Sequence, residues 1–215
     1  MNRLSVMDAL HMDKEKHQRL MLLKAKLSRI TSFPDSSWAA AERVFSCRSF
    51  GAQAAIIEAG DVITELHFLL SGIARYYYLT HDGKEFNKSF ARCGQVLSSV
   101  SSLANGTPSP FFIQALEPCE CLSIQYADLN VLCDTHRDWE SLVRRLLEQL
   151  VIKKERREAD FLLLSAAEQY KKYLVEFADV ADRIPHYHVA SYLGITDVAL
   201  SRIRKRLGLV PVNQG

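Results

Sequence analysis

Apolar residues recur at three different periods along this chain. Between residues 14 and 30, Leu20, Leu23, Leu27 and Ile30 are spaced by three and four with Lys and Arg between them. That spacing predicts a helix docked along one side and solvated along the other. Phe33-Pro34-Asp35 breaks it, and Ser37-Trp38 opens a short helix carrying Ala41 and Val44. After Cys47 the runs shorten. Strand-like segments at 55–61, 66–72, 73–79, 85–91, 111–116 and 120–124 are separated by Gly-Asp, Ser-Gly and Pro-containing turns. His81-Asp82-Gly83-Lys84 is a hairpin signal. Short strands without intervening long helices predict an antiparallel β-roll or jelly roll, not a doubly wound parallel sheet.

From about Tyr126 the helical period returns. A long helix is predicted over 138–161, with Trp139, Leu142, Val143, Leu146, Leu147, Leu150 and Val151 in its first half. Its second half is charged, Lys153-Lys154-Glu155-Arg156-Arg157-Glu158. The stripe is broader than a surface helix needs, which predicts packing against the same helix of a second copy; packing on its own roll alone is the competing reading. A further helix spans 165–177, with Ser165 as N-cap and Glu168 completing a capping box. Residues 179–185 are a linker.

The segment 184–207 reads as two short helices joined at Gly194, with the small Ala190 where the helices cross. Ile195, Leu200, Ile203 and Leu207 bury one side of the second helix. Thr196, Asp197, Ser201, Arg202, Arg204 and Lys205 are left as the candidate DNA-binding residues. Thr196 can cap that helix and aim its N-terminus at a phosphate. A guanidinium at Arg202, one turn in, can fork onto guanine, and the basic residues at 204–206 can serve phosphates. This is a helix-turn-helix pattern with its cations on the groove-facing helix.

Charge and composition sharpen that picture. The 215 residues carry a formal net charge of only +2. Residues 1–30 hold +4, residues 31–140 hold −6, residues 141–179 hold +1 and the remainder +3. An acidic middle between basic ends fits a polyanion partner near the C-terminus. The five cysteines, Cys47, Cys93, Cys119, Cys121 and Cys133, are odd in number and follow no secretory leader pattern, so reduced thiols in a cytoplasmic protein are expected. Cys119-Glu120-Cys121 lacks the spacing of a metal knuckle and places both thiols on one face of a strand. No run approaches a membrane span. No metal site, no cofactor and no catalytic residue is expected: His67 and His81 stand apart without an H-x-H arrangement, and no phosphate-cradling glycine loop occurs.

Several segments together resemble the Crp/Fnr family of bacterial transcription regulators. They are Ile57-Glu58-Ala59-Gly60-Asp61, Leu69-Leu70-Ser71-Gly72-Ile73-Ala74-Arg75, Asp82-Gly83-Lys84-Glu85, Val189 to Ile195, and Leu200-Ser201-Arg202-Ile203-Arg204. The resemblance runs from about Leu20 onward. It implies an α+β protein: an N-terminal cyclic-nucleotide-binding-like β-roll, a long dimerisation helix and a winged helix-turn-helix. The corresponding division is 1–135 for the helices and roll, 136–163 for the long helix and 164–215 for the DNA-binding part.

Three departures from the family pattern matter. Cyclic-nucleotide responders hold the ribose with a carboxylate and the cyclic phosphate with an Arg-Ser or Arg-Thr pair. Here Ser98-Ser99 and Ser109-Pro110 fall at those places, so a cyclic phosphate meets no guanidinium and one fewer N–H. No cysteine precedes Cys47, against the N-terminal cluster of the iron–sulfur sensors. In the recognition helix Asp197-Val198 stands where the family often has Arg-Glu or Pro-Glu, whereas Arg202 matches the family's base-reading arginine. The wing is expected to be short or truncated, since only 208–215 follow Leu207. The resulting expectation is a homodimeric double-stranded-DNA-binding regulator, not responsive to cyclic AMP, with an unidentified small-molecule effector in the roll or none. The competing class is a ligand-binding or protein-interaction module whose helix-turn-helix has weak or lost sequence-specific DNA binding.

Overall fold

The computed structural model describes residues 3–209, and the side chains of 14–209. The expected short wing lies mostly at 210–215, outside the described residues. Two N-terminal helices, α1 (Arg3–Leu27) and α2 (Asp35–Val44), precede eight strands. The strands are β1 (Ser46–Phe50), β2 (Ala55–Ile57), β3 (Glu65–Ser71), β4 (Ile73–Leu79), β5 (Glu85–Arg92), β6 (Val96–Leu97), β7 (Phe112–Ala115) and β8 (Cys119–Gln125). A short helix α3 (Val100–Asn105) interrupts them. Then come α4 (Tyr126–Thr135), the long α5 (Arg137–Leu163), α6 (Ala166–Glu176), α7 (His186–Leu193) and α8 (Asp197–Arg206). The fold is α+β, as the alternation of periods predicts.

The strands form two four-stranded antiparallel sheets, β1-β8-β3-β6 and β2-β7-β4-β5, closed face to face as a roll. Their period of two separates two cores. On β3, Leu66, Phe68 and Leu70 point out toward the helices, and Leu69 points into the roll. On β8, Leu122 and Ile124 point outward while Cys119 and Cys121 point inward. Both strands are covered on both faces, which is why they read as nearly continuous apolar runs. The outer face of this sheet is sealed by Leu20, Leu23 and Leu27 of α1, Trp38 of α2 and Trp139 and Leu142 of α5. The Trp38 and Trp139 rings stack 6.0 Å apart, with Phe33 and Phe45 against them. The docked N-terminal helix is therefore as predicted.

The inward thiols are inert. Burial pushes Cys119 up to about 11 and Cys121 up to about 12, so both stay protonated at neutral pH. His67 is also buried, its Nδ1 2.6 Å from the Ser123 hydroxyl, and His81 lies exposed in the hairpin turn. No group of three metal-ligating side chains occurs among the described residues, and no helix among them is long and apolar enough to cross a membrane.

The pattern of residues does not announce β1, β6 or α3. Ser-Cys-Arg-Ser-Phe is mostly polar, and β1 exists because Ser46 to Phe50 pair residue by residue with Ser123 to Cys119 of β8. Such a strand is supplied by its partner rather than by its own preference.

Gly72, between β3 and β4, sits at φ +95°, and a Cβ there would lie 2.7 Å from the Cys119 sulfur and 2.9 Å from its Cα. Gly72→Ala is expected to cost at least about 2 kcal/mol, combining positive-φ strain with a clash against a fixed backbone. A urea titration against the parent protein checks this; a loss below about 0.5 kcal/mol would show that the β3–β4 corner is soft.

Candidate nucleic-acid interface

α7 and α8 form the paired helices predicted at the C-terminus. Gly194 turns the chain between them at φ +69°. Val189, Ala190 and Leu193 of α7 meet Leu200 and Ile203 of α8, and Tyr170, Tyr173 and Phe177 close the cluster from α6 and the residue after it. Upstream, Ser165 caps α6 and Glu168 returns the bond, the predicted capping box. Thr196 caps α8, its hydroxyl accepting from the Ala199 N–H at 3.2 Å.

With Leu200 and Ile203 buried, α8 turns two adjacent i, i+4 ridges to solvent. One is Asp197–Ser201–Lys205 and the other Val198–Arg202–Arg206, all exposed. Thr196 lies exposed at their N-terminal end. Arg202 and Lys205 have no ion-pair partner among the described residues. Arg204 differs from its neighbours: it is half-buried and its Nη1 lies 2.8 Å from Nδ1 of His186 on α7. Five of the six candidate DNA-binding residues therefore share one open face, and the sixth braces the two helices. Burial and the Arg204 charge hold His186 below the usual imidazole range, with Asp197 opposing.

The opposite side of α7 is fastened to the roll. β5 is an edge strand of its sheet, so its outer backbone groups need partners from elsewhere. Ser191 supplies them: its hydroxyl accepts from the Asn87 N–H at 2.9 Å and donates to the Glu85 carbonyl at 3.1 Å. The Asn87 amide donates to the His188 carbonyl at 3.0 Å. Buried Arg75 on β4 ion-pairs with Glu85 and donates to Asn87 Oδ1 at 3.2 Å and to Gln114 at 2.8 Å. Its guanidinium also faces His188 Nδ1 at 3.3 Å and stacks 4.0 Å over the Tyr77 ring. Burial, with the Arg75 charge second and Glu85 opposing, pushes His188 down to about 4, so it sits neutral with Nδ1 as acceptor. Beside this network Phe90 packs on Tyr192 and Phe177, and Arg92 pairs with Asp179. From α5, Arg157 donates to the Tyr192 carbonyl and lies 3.8 Å over its ring. The helix pair is thus gripped by both the roll and the long helix. Nothing in the sequence pattern marks these residues, because Arg75, Asn87 and His188 are separated by up to 113 positions.

An eight-stranded roll, a long helix and a C-terminal helix-turn-helix thus follow one another on one chain. Residues 47–136 match the cyclic nucleotide-binding domain family. No curated protein matches the chain in sequence. Among solved structures, the chain is similar to FixK2 from Bradyrhizobium japonicum, with a TM-score of 0.68, 16% identity and coverage of 80% of this chain and 90% of that one. It is similar to CLP from Xanthomonas campestris, a c-di-GMP responsive global regulator, with a TM-score of 0.65, 15% identity and coverage of 81% and 92%. The Thermus thermophilus catabolite activator protein matches with a TM-score of 0.53, 19% identity and coverage of 85% and 88%. These neighbours are Crp/Fnr-type regulators, and the fold of this chain is theirs, built on a cyclic nucleotide-binding-type roll.

The His188 network makes a pH prediction. The unfolded imidazole titrates near 6.5 and the folded one near 4, so between these values the unfolded chain binds more protons and stability falls as the pH is lowered. Urea midpoints taken from pH 7 to pH 5 should fall, and the fall should shrink in His188→Asn. An equal pH slope in both proteins would remove His188 as its source. Separately, Asn87→Ala should cost about 1–3 kcal/mol by orphaning buried partners, with faster amide exchange in α7 as its local signature.

Proposed function

We propose that this protein is a homodimeric transcription regulator that binds double-stranded DNA through α8. The observation that carries the reading is the segregation of α8: Leu200 and Ile203 seal it to its own domain, while Ser201, Arg202 and Lys205 face solvent with no hydrogen-bond or ion-pair partner for their side chains among the described residues. Arg202 reads a base edge, Lys205 and Arg206 hold phosphates, and the capped start of α8 approaches the backbone. The domains are 1–135, a sensor; 136–163, the dimerisation helix; and 164–215, the DNA-binding part. The protein acts in the cytoplasm and is not an enzyme.

Dimerisation is supported by α5. Of its apolar stripe, Trp139 and Leu142 are spent on the chain's own roll. Leu147, Val151 and Ile152 are 42%, 53% and 45% exposed, and Leu162 is 72% exposed. A second α5 laid along this ridge covers them and sets the two α8 helices at the spacing of successive major grooves.

The roll's input is not cyclic AMP in this reading. The N–H of Ser109 donates to the Asp61 carbonyl at 2.8 Å and its hydroxyl to the Phe111 carbonyl at 2.8 Å. Pro110 has no N–H, so the position that holds a cyclic phosphate in responsive relatives has its donors consumed. The input remains an unidentified effector, or the regulator is constitutive. One observation favours the second reading, an interaction module with weak or lost sequence choice: Asp197 faces the same side as the cations, and Val198 is 61% exposed there.

Selection from a randomised operator library at two salt concentrations separates these readings, since only a regulator enriches a partly palindromic site. On that site Arg202→Ala should cost about 1–3 kcal/mol and relax one base position. Lys205→Ala should reduce the salt slope by about 0.9 per lost phosphate contact, leaving base preference unchanged. Val151→Asp should shift light scattering from dimer to monomer and abolish tight operator binding; a Val151→Asp dimer would remove α5 as the interface. Calorimetry should detect no cyclic-AMP binding tighter than millimolar.

A further inference from the structure

A cleft of about 410 Å³ opens between β5 and the second half of α5, with Leu150, Phe161 and Tyr192 among its apolar walls. Four cations also line it. Two are engaged within the chain: Arg157 on Tyr192, and Lys153 with Glu176 at 3.2 Å. The other two, Lys88 and Lys154, have no carboxylate within ion-pair distance among the described residues. Glu158, also in the wall, is the one acid there.

The placement of Lys88 is particular. β4 and β5 slip register between Tyr76 paired with Ser89 and Tyr77 paired with Asn87, which leaves Lys88 as the extra residue of a β-bulge. Bulges re-aim side chains, and at this one Lys88 forms part of the wall of the cleft. It rests 3.7 Å from the Phe111 ring centre and 5.5 Å from that of Tyr78. Burial, followed by the neighbouring charge of Lys154, pushes Lys88 down to about 8. A half-buried ammonium that shares a cleft with a second unpaired one is disfavoured by its burial and by that charge, and an anion in the cleft relieves both.

We propose that this cleft binds a small organic dianion, a phosphate monoester carrying a flat apolar or aromatic body. Lys88 and Lys154 take the phosphate, and Phe161, Tyr192 and Leu150 take the body. Two unpaired ammoniums match two negative charges, which a phosphate monoester carries above about pH 6 and a cyclic phosphodiester does not. The volume falls within the roughly 300–1,000 Å³ of small-molecule sites. The ligand would join β5 to α5, the two elements that hold α7. Asn87, adjacent to Lys88, is bonded to Ser191 and His188, and Tyr192 lines the cleft itself. Coupling of this site to DNA rests on the regulator reading above; binding does not.

The test uses the full chain at pH 7 with 1-naphthyl phosphate as the probe, followed by fluorescence, and with 1-naphthol, inorganic phosphate and cyclic AMP as comparators. Naphthyl phosphate should saturate at least tenfold more tightly than any of the three. Lys88→Met should weaken it at least tenfold and Lys154→Met at least threefold, with Arg202→Ala unchanged. Lys154 lies on an exposed helix face, so that variant remains informative if Lys88→Met misfolds. No saturation below 1 mM, equal binding of 1-naphthol, or parent-like binding by the folded lysine variants would overturn the site. Operator affinity measured without ligand tests the regulator reading independently. A Lys88-dependent site whose occupancy leaves operator affinity unchanged supports the dianion cleft and overturns its role as the input.

Discussion

The exposed edge of β5 is the constraint on which the arrangement of this molecule depends. An edge strand leaves backbone donors and acceptors unpaired, and here they are completed by a helix of the C-terminal helix-turn-helix rather than by another strand. Arg75 makes the arrangement specific. A buried guanidinium needs a full set of acceptors, and it finds them in Glu85, Asn87 and Gln114 of the roll and in His188 of α7. Pulling α7 away would strand a charge and several polar groups together, so the helix pair has one favoured seat.

That seat explains how events in the roll can reach α8. Phe90 and Ile73 belong to the sheet yet share a core with Tyr173, Phe177 and Tyr192. Arg157 ties α5 to the end of α7 at Tyr192. Sheet, long helix and helix pair therefore meet at Tyr192. α5 and the roll thus hold α7 from two sides, and α7 is joined to α8 where Ala190 and Leu193 pack on Leu200 and Ile203.

Local rules were readable wherever a segment's neighbours in sequence were also its physical partners. The capping box of α6, the Gly194 turn, the Thr196 cap and the sealed side of α8 are all interactions over a few residues, and each stands where the sequence places it. The strand runs of the roll were readable because period two survives even where both faces are covered. β1 was not readable, since Ser46 and Ser49 carry no strand signal and their ladder is made by β8. Arg204 looks like any other cation of α8, and only the position of His186 turns it inward.

By itself, then, the amino-acid order determined the class of fold, most of its elements, the helix-turn-helix and the open side of α8 on which five of the six candidate residues lie, because periodicity, turns and caps are local physics. Tertiary structure decided the seating of that motif on the roll, the neutral state of His188, and the placing of Lys88 and Lys154 along one cleft. Those depend on charges and hydrogen-bonding groups brought together from positions far apart in the chain, where burial makes each unpaired group costly and leaves no local trace.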